Sequence, residues 1–291
     1  MTLTLKSTTI DAGGTPLSEY LYVGVVQTNL DKASAWPQGP PMRDFEQECA
    51  WQEIRRAFRG FQGPGVKPDI ILLPELAVPR GRVGDLKGLA RTLNSIVIAG
   101  VDYRLDSEGA LAWNEAILIP VASGVSGKSM PPVWIGKTWA APKEEEGLKS
   151  ANWTFRGDPT LWLFRGGRTG DFGVSICYDL MDLERALLYR ERVHHLFVLA
   201  YNKDTESFRH HAESLMRAMY CNVVICNTGF YGGSVAVAPF HTPFKRTIYR
   251  HDGASMVTSQ LIALPLKELD AVQRGKVYRD FKSLPPCYSR K

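Results

Sequence analysis

"DFGVSICYDLMDLERALLYRE", residues 171–191, joins a short apolar, β-prone run to an acidic, helix-forming stretch, with Cys177 at the junction. A cysteine inside a strand or helix normally acts as a small hydrophobe. One placed where a strand turns into a helix lies near the positive end of the helix dipole, which can lower the thiol pKa and expose it. Asp179, Asp182 and Glu184 fall in the first turn of the expected helix, where acidic residues favour a start. Strand, sharp turn, nucleophile, helix is also the geometry that sets a backbone N–H beside a reacting side chain. A buried structural cysteine is the commoner fate of a lone thiol, so the reading of Cys177 depends on its partners.

Working outward, apolar runs recur at 21–28, 69–75, 95–105, 115–121, 133–139, 160–164, 172–177, 195–201, 222–228 and 234–240. Many are nearly continuous, as expected for strands buried on both faces. Helical spacing of apolar residues appears at 44–58, 180–192 and 206–220, with a further helix expected at 83–93. Strands and helices alternate early and strands dominate the middle, which predicts an α/β or α+β fold with helices covering sheet faces. No repeat, low-complexity segment or linker is visible. One domain over 20–270 is expected, flanked by polar tails at 1–19 and 271–291.

The chain has 291 residues, 44% hydrophobic and 22% charged, which is ordinary globular composition. Its net charge of +5 is spread among residues of alternating sign, so nucleic-acid binding is unsupported. The opening MTLTLKSTTIDAGG has no long apolar core, and no segment reaches membrane-span length, so no membrane association is expected. The five cysteines (49, 177, 221, 226 and 287) show no C-x-x-C spacing. Neither a disulfide framework nor a zinc site is indicated, and a cytoplasmic setting is the expectation. The pairs His194-His195 and His210-His211 lack the i, i+4 spacing that puts two imidazoles on one helix face.

Two further ionisable residues end apolar runs. Glu75, in "DIILLPEL", follows four aliphatic residues and a proline; taken alone it reads as a loop carboxylate, yet α/β proteins place their sites at such strand ends. Lys137, in "PPVWIGKTWAAPKEEEG", shares a face with Val133, Ile135 and Trp139 in the period-two pattern of a strand. An ammonium there needs a carboxylate partner or snorkels from an edge strand. Lys143 to Glu146 follow a proline and read as a solvated turn, from which Glu144 can fold back towards Lys137. Tyr201, Asn202 and Asn227 end apolar runs and are candidates to line a pocket. Asp179 reads as a helix cap that braces the turn.

The order Glu75, Lys137, Cys177, with these flanks, resembles the nitrilase or carbon–nitrogen hydrolase superfamily. Its members carry Glu in a "PE" motif, Lys in "K-x-H-L-x-P-x-E" and Cys in "G-x-x-I-C-Y-D". The matching stretches are LLPEL, KTWAAPKE and GVSICYD, with further likeness in VGVVQTN, IAGVDYR, WNEAILI and RAMYCNVVICNTGFYGGS. The resemblance covers roughly residues 20–265 and implies a four-layer α-β-β-α sandwich that pairs through its outer helices into a homo-oligomer. It implies a cysteine hydrolase of a non-peptide C–N bond in a small amide, carbamoyl compound or nitrile. Glu75 would be the base, Cys177 the nucleophile, Lys137 and the Tyr178 N–H the oxyanion donors, and Glu144 the second glutamate that holds Lys137. No metal or organic cofactor is required. An acyltransferase using the same thioester, or a catalytically silent binding subunit, are the alternatives.

Three departures bear on substrate. Trp139 replaces a histidine and makes that wall bulkier. Leu180-Met181-Asp182-Leu183-Glu184 keeps the glutamate of x-R-F-P-E but not its arginine or proline, and Tyr220-Cys221 replaces a Glu-Asn pair. Trp139 and Tyr178, with Tyr201 and Asn202 at the end of their apolar run, are the expected substrate contacts.

Overall fold

Ile70 and Leu72 pack into one apolar cluster, Ile71 and Leu73 into another. A strand that buries both faces with period two lies between two other layers. The same split separates Ile96 and Ile98 from Val97 and Ala99, and Ala116 and Leu118 from Ile117 and Ile119. The protein is described by a computed structural model that covers residues 2–10, 16–121 and 130–289.

In chain order the strands are β1 (Thr4–Thr9), β2 (Tyr20–Gln27), β3 (Ile70–Val78), β4 (Ile96–Asp106), β5 (Leu111–Ile119), β6 (Val133–Gly136) and β7 (Thr154–Phe155). They continue as β8 (Thr160–Arg165), β9 (Phe172–Ile176), β10 (His195–Ala200), β11 (Asn222–Asn227), β12 (Ser234–Val237), β13 (Thr247–His251) and β14 (Thr258–Pro265). One sheet has the order β1-β8-β9-β10-β11-β12-β13; the other runs β14-β2-β3-β4-β5-β6, with β7 beside β5. Each has a parallel centre, β9-β10-β11 in the first and β2-β3-β4 in the second. The sheets face each other across the larger cluster.

Helices α1 (Lys32–Ala35), α2 (Asp44–Phe61) and α3 (Val83–Leu93) follow the early strands. Trp51, Ile54, Ala57 and Phe58 of α2, with Leu86, Ala90 and Leu93 of α3, cover the outer face of the second sheet. Beyond α4 (Pro142–Ser150), the outer face of the first sheet is covered by α5 (Leu183–Tyr189) and α6 (Thr205–Leu215), the latter through Phe208, Ala212 and Leu215. Burying a large apolar side chain contributes about 1.5–3 kcal/mol, so packing and not intrinsic propensity holds these helices. The result is the expected α-β-β-α sandwich.

The differences from the sequence reading are local. The run at 133–139 stops as a strand at Gly136, where an added Cβ would meet the Asp158 side chain. Lys137 and Trp139 therefore do not share a strand face. The presumed solvated turn after Pro142 is helix α4, started by proline at its first position and by Glu144, which accepts from the Ala141 N–H at 3.2 Å. The helix expected from residue 180 begins at Leu183, with Asp182 accepting from the Glu184 and Arg185 amides; Cys177–Met181 is a single tight turn. The helix expected to reach residue 220 relaxes into a π-turn over Met216–Tyr220. Residues 4–9, set aside as tail, pair in parallel with β8. Near the other end Phe281 is buried against Phe240 and Lys282 accepts from Tyr220, so the segment after α7 (Lys267–Gln273) packs on the domain.

Candidate active site

The site lies where the carboxyl ends of parallel strands from both sheets meet, the usual place for chemistry in such sheets. Pairing of β3 with β4 runs from Ile70↔Ile96 to Leu73↔Ala99 and resumes only at Val78↔Val101. Residues 74–77 bulge outward between these points, and Leu76 takes a left-handed φ of 57°. Pro74 has no N–H to give to the ladder. Gly100 faces the bulge: a Cβ there would meet the Pro74 carbonyl oxygen, Glu75 Cα and the Leu76 amide. The bulge turns the Glu75 side chain into the space between the sheet ends, where it is 3% exposed.

Lys137 follows β6 and is 2% exposed. Its Nζ donates to Glu75 Oε1 at 2.7 Å and to Glu144 Oε2. Asn114 of β5 joins the same two carboxylates, its Nδ2 donating to Glu75 Oε1 at 2.8 Å and to Glu144 Oε1 at 2.7 Å. Glu144 Oε1 also accepts from the Tyr103 hydroxyl at 3.1 Å, and Glu75 Oε2 accepts from the Tyr201 amide at 3.0 Å.

Cys177 ends β9 with a left-handed φ of 46°, an uncommon conformation for a non-glycine residue and the sharp turn expected of an elbow. Its thiol lies beside Glu75 and the Tyr201 amide, close enough for both to bear on its protonation. The structure thus brings Glu75, Lys137, Glu144 and Cys177 together.

The electrostatics correct one expectation. Burial and the neighbouring Glu75 charge push the Cys177 thiol well above the ordinary range, against a smaller pull from Lys137. The five-residue turn that follows, and the later start of α5, leave no long helix aimed at the sulfur. The resting group is a buried thiol, not an exposed thiolate. Burial also raises the Glu75 carboxyl, opposed by Lys137. For Glu144 burial is overcome by Lys137 and by hydrogen bonds from Lys137, Asn114 and the Ala141 amide, so its carboxyl is held low. Burial opposes charge on Lys137, yet Glu144 and Glu75 hold its ammonium well above the ordinary lysine range. The arrangement is one cation between two carboxylates, beside a thiol whose proton has a neighbouring acceptor.

Asp179, two residues beyond the cysteine, accepts from the Thr138 amide at 3.0 and 3.1 Å and from the Trp139 amide at 2.8 Å. Its second partner is Arg185, buried, at 3.1 Å, which also donates to Thr138 Oγ1 at 2.7 Å. Asp179 therefore braces the elbow as read from the sequence, while the helix cap is Asp182.

The expected substrate contacts divide. Tyr178 and Trp139 are 39% and 38% exposed, and the Trp139 indole donates to Asp182 at 2.9 Å. Tyr201 places its amide at Glu75, but its hydroxyl donates to the Leu30 carbonyl at 2.7 Å and its ring packs edge-on against Trp36 and Tyr231. Asn202 uses its side-chain oxygen on the Asp204 amide, at the start of α6. His211 engages the Leu180 carbonyl.

Asn114 and Tyr103 escaped the sequence reading, although "WNEAILI" and "VDYR" were both singled out. The apolar run visible in the sequence begins at residue 115 and leaves Asn114 outside it, whereas β5 begins at Leu111. An amide buried within such a run was the available signal.

No family model matches the sequence, and no curated protein is significantly similar to it. Solved structures are similar in fold. Nit3 from Saccharomyces cerevisiae, a member of branch 10 of the nitrilase superfamily, aligns with a TM-score of 0.61 at 17% identity over 92% of this chain and 96% of that one. The chain carries the nitrilase-superfamily fold. A mutant amidase from a Nesterenkonia species in complex with butyramide aligns with it at TM-score 0.62 and 13% identity, over 87% of this chain and 94% of that one. A carbon–nitrogen hydrolase from Helicobacter pylori gives 0.60 and 14% over 88% and 92%. Among the described residues of this nitrilase-type fold, no group of three or more His, Cys, Asp or Glu is arranged to hold a metal ion. No described helix is long and apolar enough to cross a membrane.

Proposed function

We propose that the chain is a cysteine-dependent amidohydrolase that cleaves the C–N bond of a small amide through a thioester on Cys177. The observation that carries this reading is the Cys177 thiol in contact with Glu75, which in turn is bridged to Glu144 by Lys137. The fold neighbours include amidases, one of them with the acetamide moiety of fluoroacetamide added covalently to its active-site cysteine.

Chemistry follows from the electrostatics. A thiol held up by burial reacts only when a base removes its proton as it attacks, and Glu75 is that base. The carbonyl carbon takes the sulfur, and the oxyanion is met by Lys137 and the backbone N–H of Tyr178. Glu75 returns its proton to the nitrogen as ammonia or an amine leaves. It then takes a proton from water, whose oxygen attacks the thioester, and gives it back to sulfur as the acid departs. Glu144, held ionised, keeps Lys137 charged throughout.

Intact-mass measurement after incubation with a panel of small amides tests the reading. The expected result is a mass increase equal to one acyl group on the wild type, absent from Cys177→Ala, with ammonia released only by the wild type. Equal ammonia release by Cys177→Ala overturns it.

A further inference from the structure

Glu75 has two oxygens, and they are treated differently. Oε1 takes two donors, the Lys137 ammonium at 2.7 Å and the Asn114 amide at 2.8 Å. A carboxylate oxygen has two good acceptor sites, so Oε1 is full. Among the described residues' backbone and side-chain N–H groups, Oε2 takes the Tyr201 amide alone, at 3.0 Å.

Asn114 spends both amide hydrogens on carboxylates, since its Nδ2 also reaches Glu144 Oε1 at 2.7 Å. The amide orientation is dictated by its surroundings: turned over, it would set a carbonyl oxygen against two carboxylates. The residue is 1% exposed and its Oδ1 makes no hydrogen bond among the described residues. Leaving a buried carbonyl oxygen bare is unfavourable, and an apolar side chain would avoid it. What an apolar side chain cannot supply is the pair of N–H donors.

We infer that Asn114 is a positioning residue which, together with Lys137, occupies Oε1 of Glu75 and leaves Oε2 as the single atom that carries the proton. On this account the Cys177 S–H bond breaks as the Oε2–H bond forms. The same Oε2–H bond breaks when the amide nitrogen takes the proton and the C–N bond cleaves. The inference rests on the amidohydrolase reading above and adds to it the route of the proton.

The groups that face Glu75 come from every side of the site: Tyr103 from β4, Lys137 after β6, Glu144 from α4, Cys177 after β9 and Tyr201 after β10. Only Asn114 among the groups that bridge the two carboxylates is uncharged. Its removal alters the hydrogen bonding of Glu75 without altering the count of charges.

The test is the pH dependence of Cys177 alkylation by iodoacetamide, followed by intact mass with peptide mapping, for wild type, Glu75→Gln, Asn114→Ala and Asn114→Asp. Iodoacetamide needs only the thiolate, so no substrate has to be known. Reaction fades as pH falls through the titration of Glu75. Loss of a donor to a carboxylate raises its pKa, so Asn114→Ala is expected to move the acid limb upward by about one pH unit. Asn114→Asp, which keeps the size of the side chain but puts another acidic group beside Glu75, is expected to move it further, and it decides the matter if the alanine variant does not fold. An acid limb that stays in place, with reaction slower at every pH, is the signature of a merely structural residue and overturns the inference alone. If wild-type Cys177 reacts no faster than exposed Cys287 and Glu75→Gln leaves the profile unchanged, the amidohydrolase reading fails and the inference with it.

Discussion

Two buried ion clusters lie on either side of the short segment Lys137–Trp139, and they are made of similar groups put to different use. In one, Asp179 meets Arg185 and the amides of Thr138 and Trp139, so both carboxylate oxygens are filled and the partner is a cation that does not give up its proton. In the other, one lysine is shared by two carboxylates and a thiol stands alongside. The first cluster is balanced and closed. The second carries one more carboxylate than cation, and that surplus is the capacity to take up a proton. Burial alone does not make a charged group reactive; an unfilled acceptor beside a proton source does.

The comparison is open to attack by mutation. Lys137→Met removes the one cation among the described residues that bridges Glu75 and Glu144. The expected cost is about 4–5 kcal/mol at neutral pH, because two carboxylates are left buried without it. Their folded-state pKa values then rise above the unfolded ones, so the variant binds extra protons when folded. The deficit is expected to shrink in acid and grow as pH rises, which urea unfolding at about pH 5 and about pH 8 measures. A deficit independent of pH breaks the account of the second cluster.

Arg185→Met opens the first cluster at an expected cost of about 3 kcal/mol in the same unfolding assay. The pH profile of Cys177 alkylation is expected to stay where it is, since Asp179 is not in the proton path. A moved profile means that the two clusters are one.

Gly100→Ala acts on the backbone that carries Glu75. An added Cβ would press on the Pro74–Leu76 bulge, with an expected cost of about 2 kcal/mol. Selective alkylation of Cys177 is expected to be lost, while the Asp179–Arg185 pair is undisturbed. The smallest effect is expected of Asp182→Ala, which removes the cap of α5 and the partner of the Trp139 indole. About 1 kcal/mol of stability is at stake, with little change in reactivity.

Much of the Glu75–Lys137–Cys177 cluster was legible in the sequence because each of these residues interrupts an apolar run at the point where a strand ends. A charge at such a place has few structural excuses. Asn114 and Tyr103 were not legible for the opposite reason: each sits within a strand, and its purpose appears only when two carboxylates from distant segments arrive beside it. The thiol's electrostatics were misread because a helix dipole was inferred from acidic composition, while the backbone spends five residues on a tight turn before α5 starts. Helix α4 was hidden by its own charges, since Glu144 faces inward while Glu145 and Glu146 face water. Strands β1 and β14 were missed because edge strands are polar enough to pass for tail or loop.

Those two edge strands bear on how the chain reaches this structure. β1 pairs Thr4 with Thr160, and β14 pairs Thr258 with Gln27. Each sheet gains an edge by joining segments far apart in the chain, residues 4 and 160 in one and 27 and 258 in the other, so loop-closure entropy is lost before most of the pairing is gained. The site obeys the same rule: Glu75 comes from one sheet, and Cys177 and the Tyr201 amide from the other. Folding is expected to be slow and cooperative, with Glu75 and Cys177 brought together only at its last step.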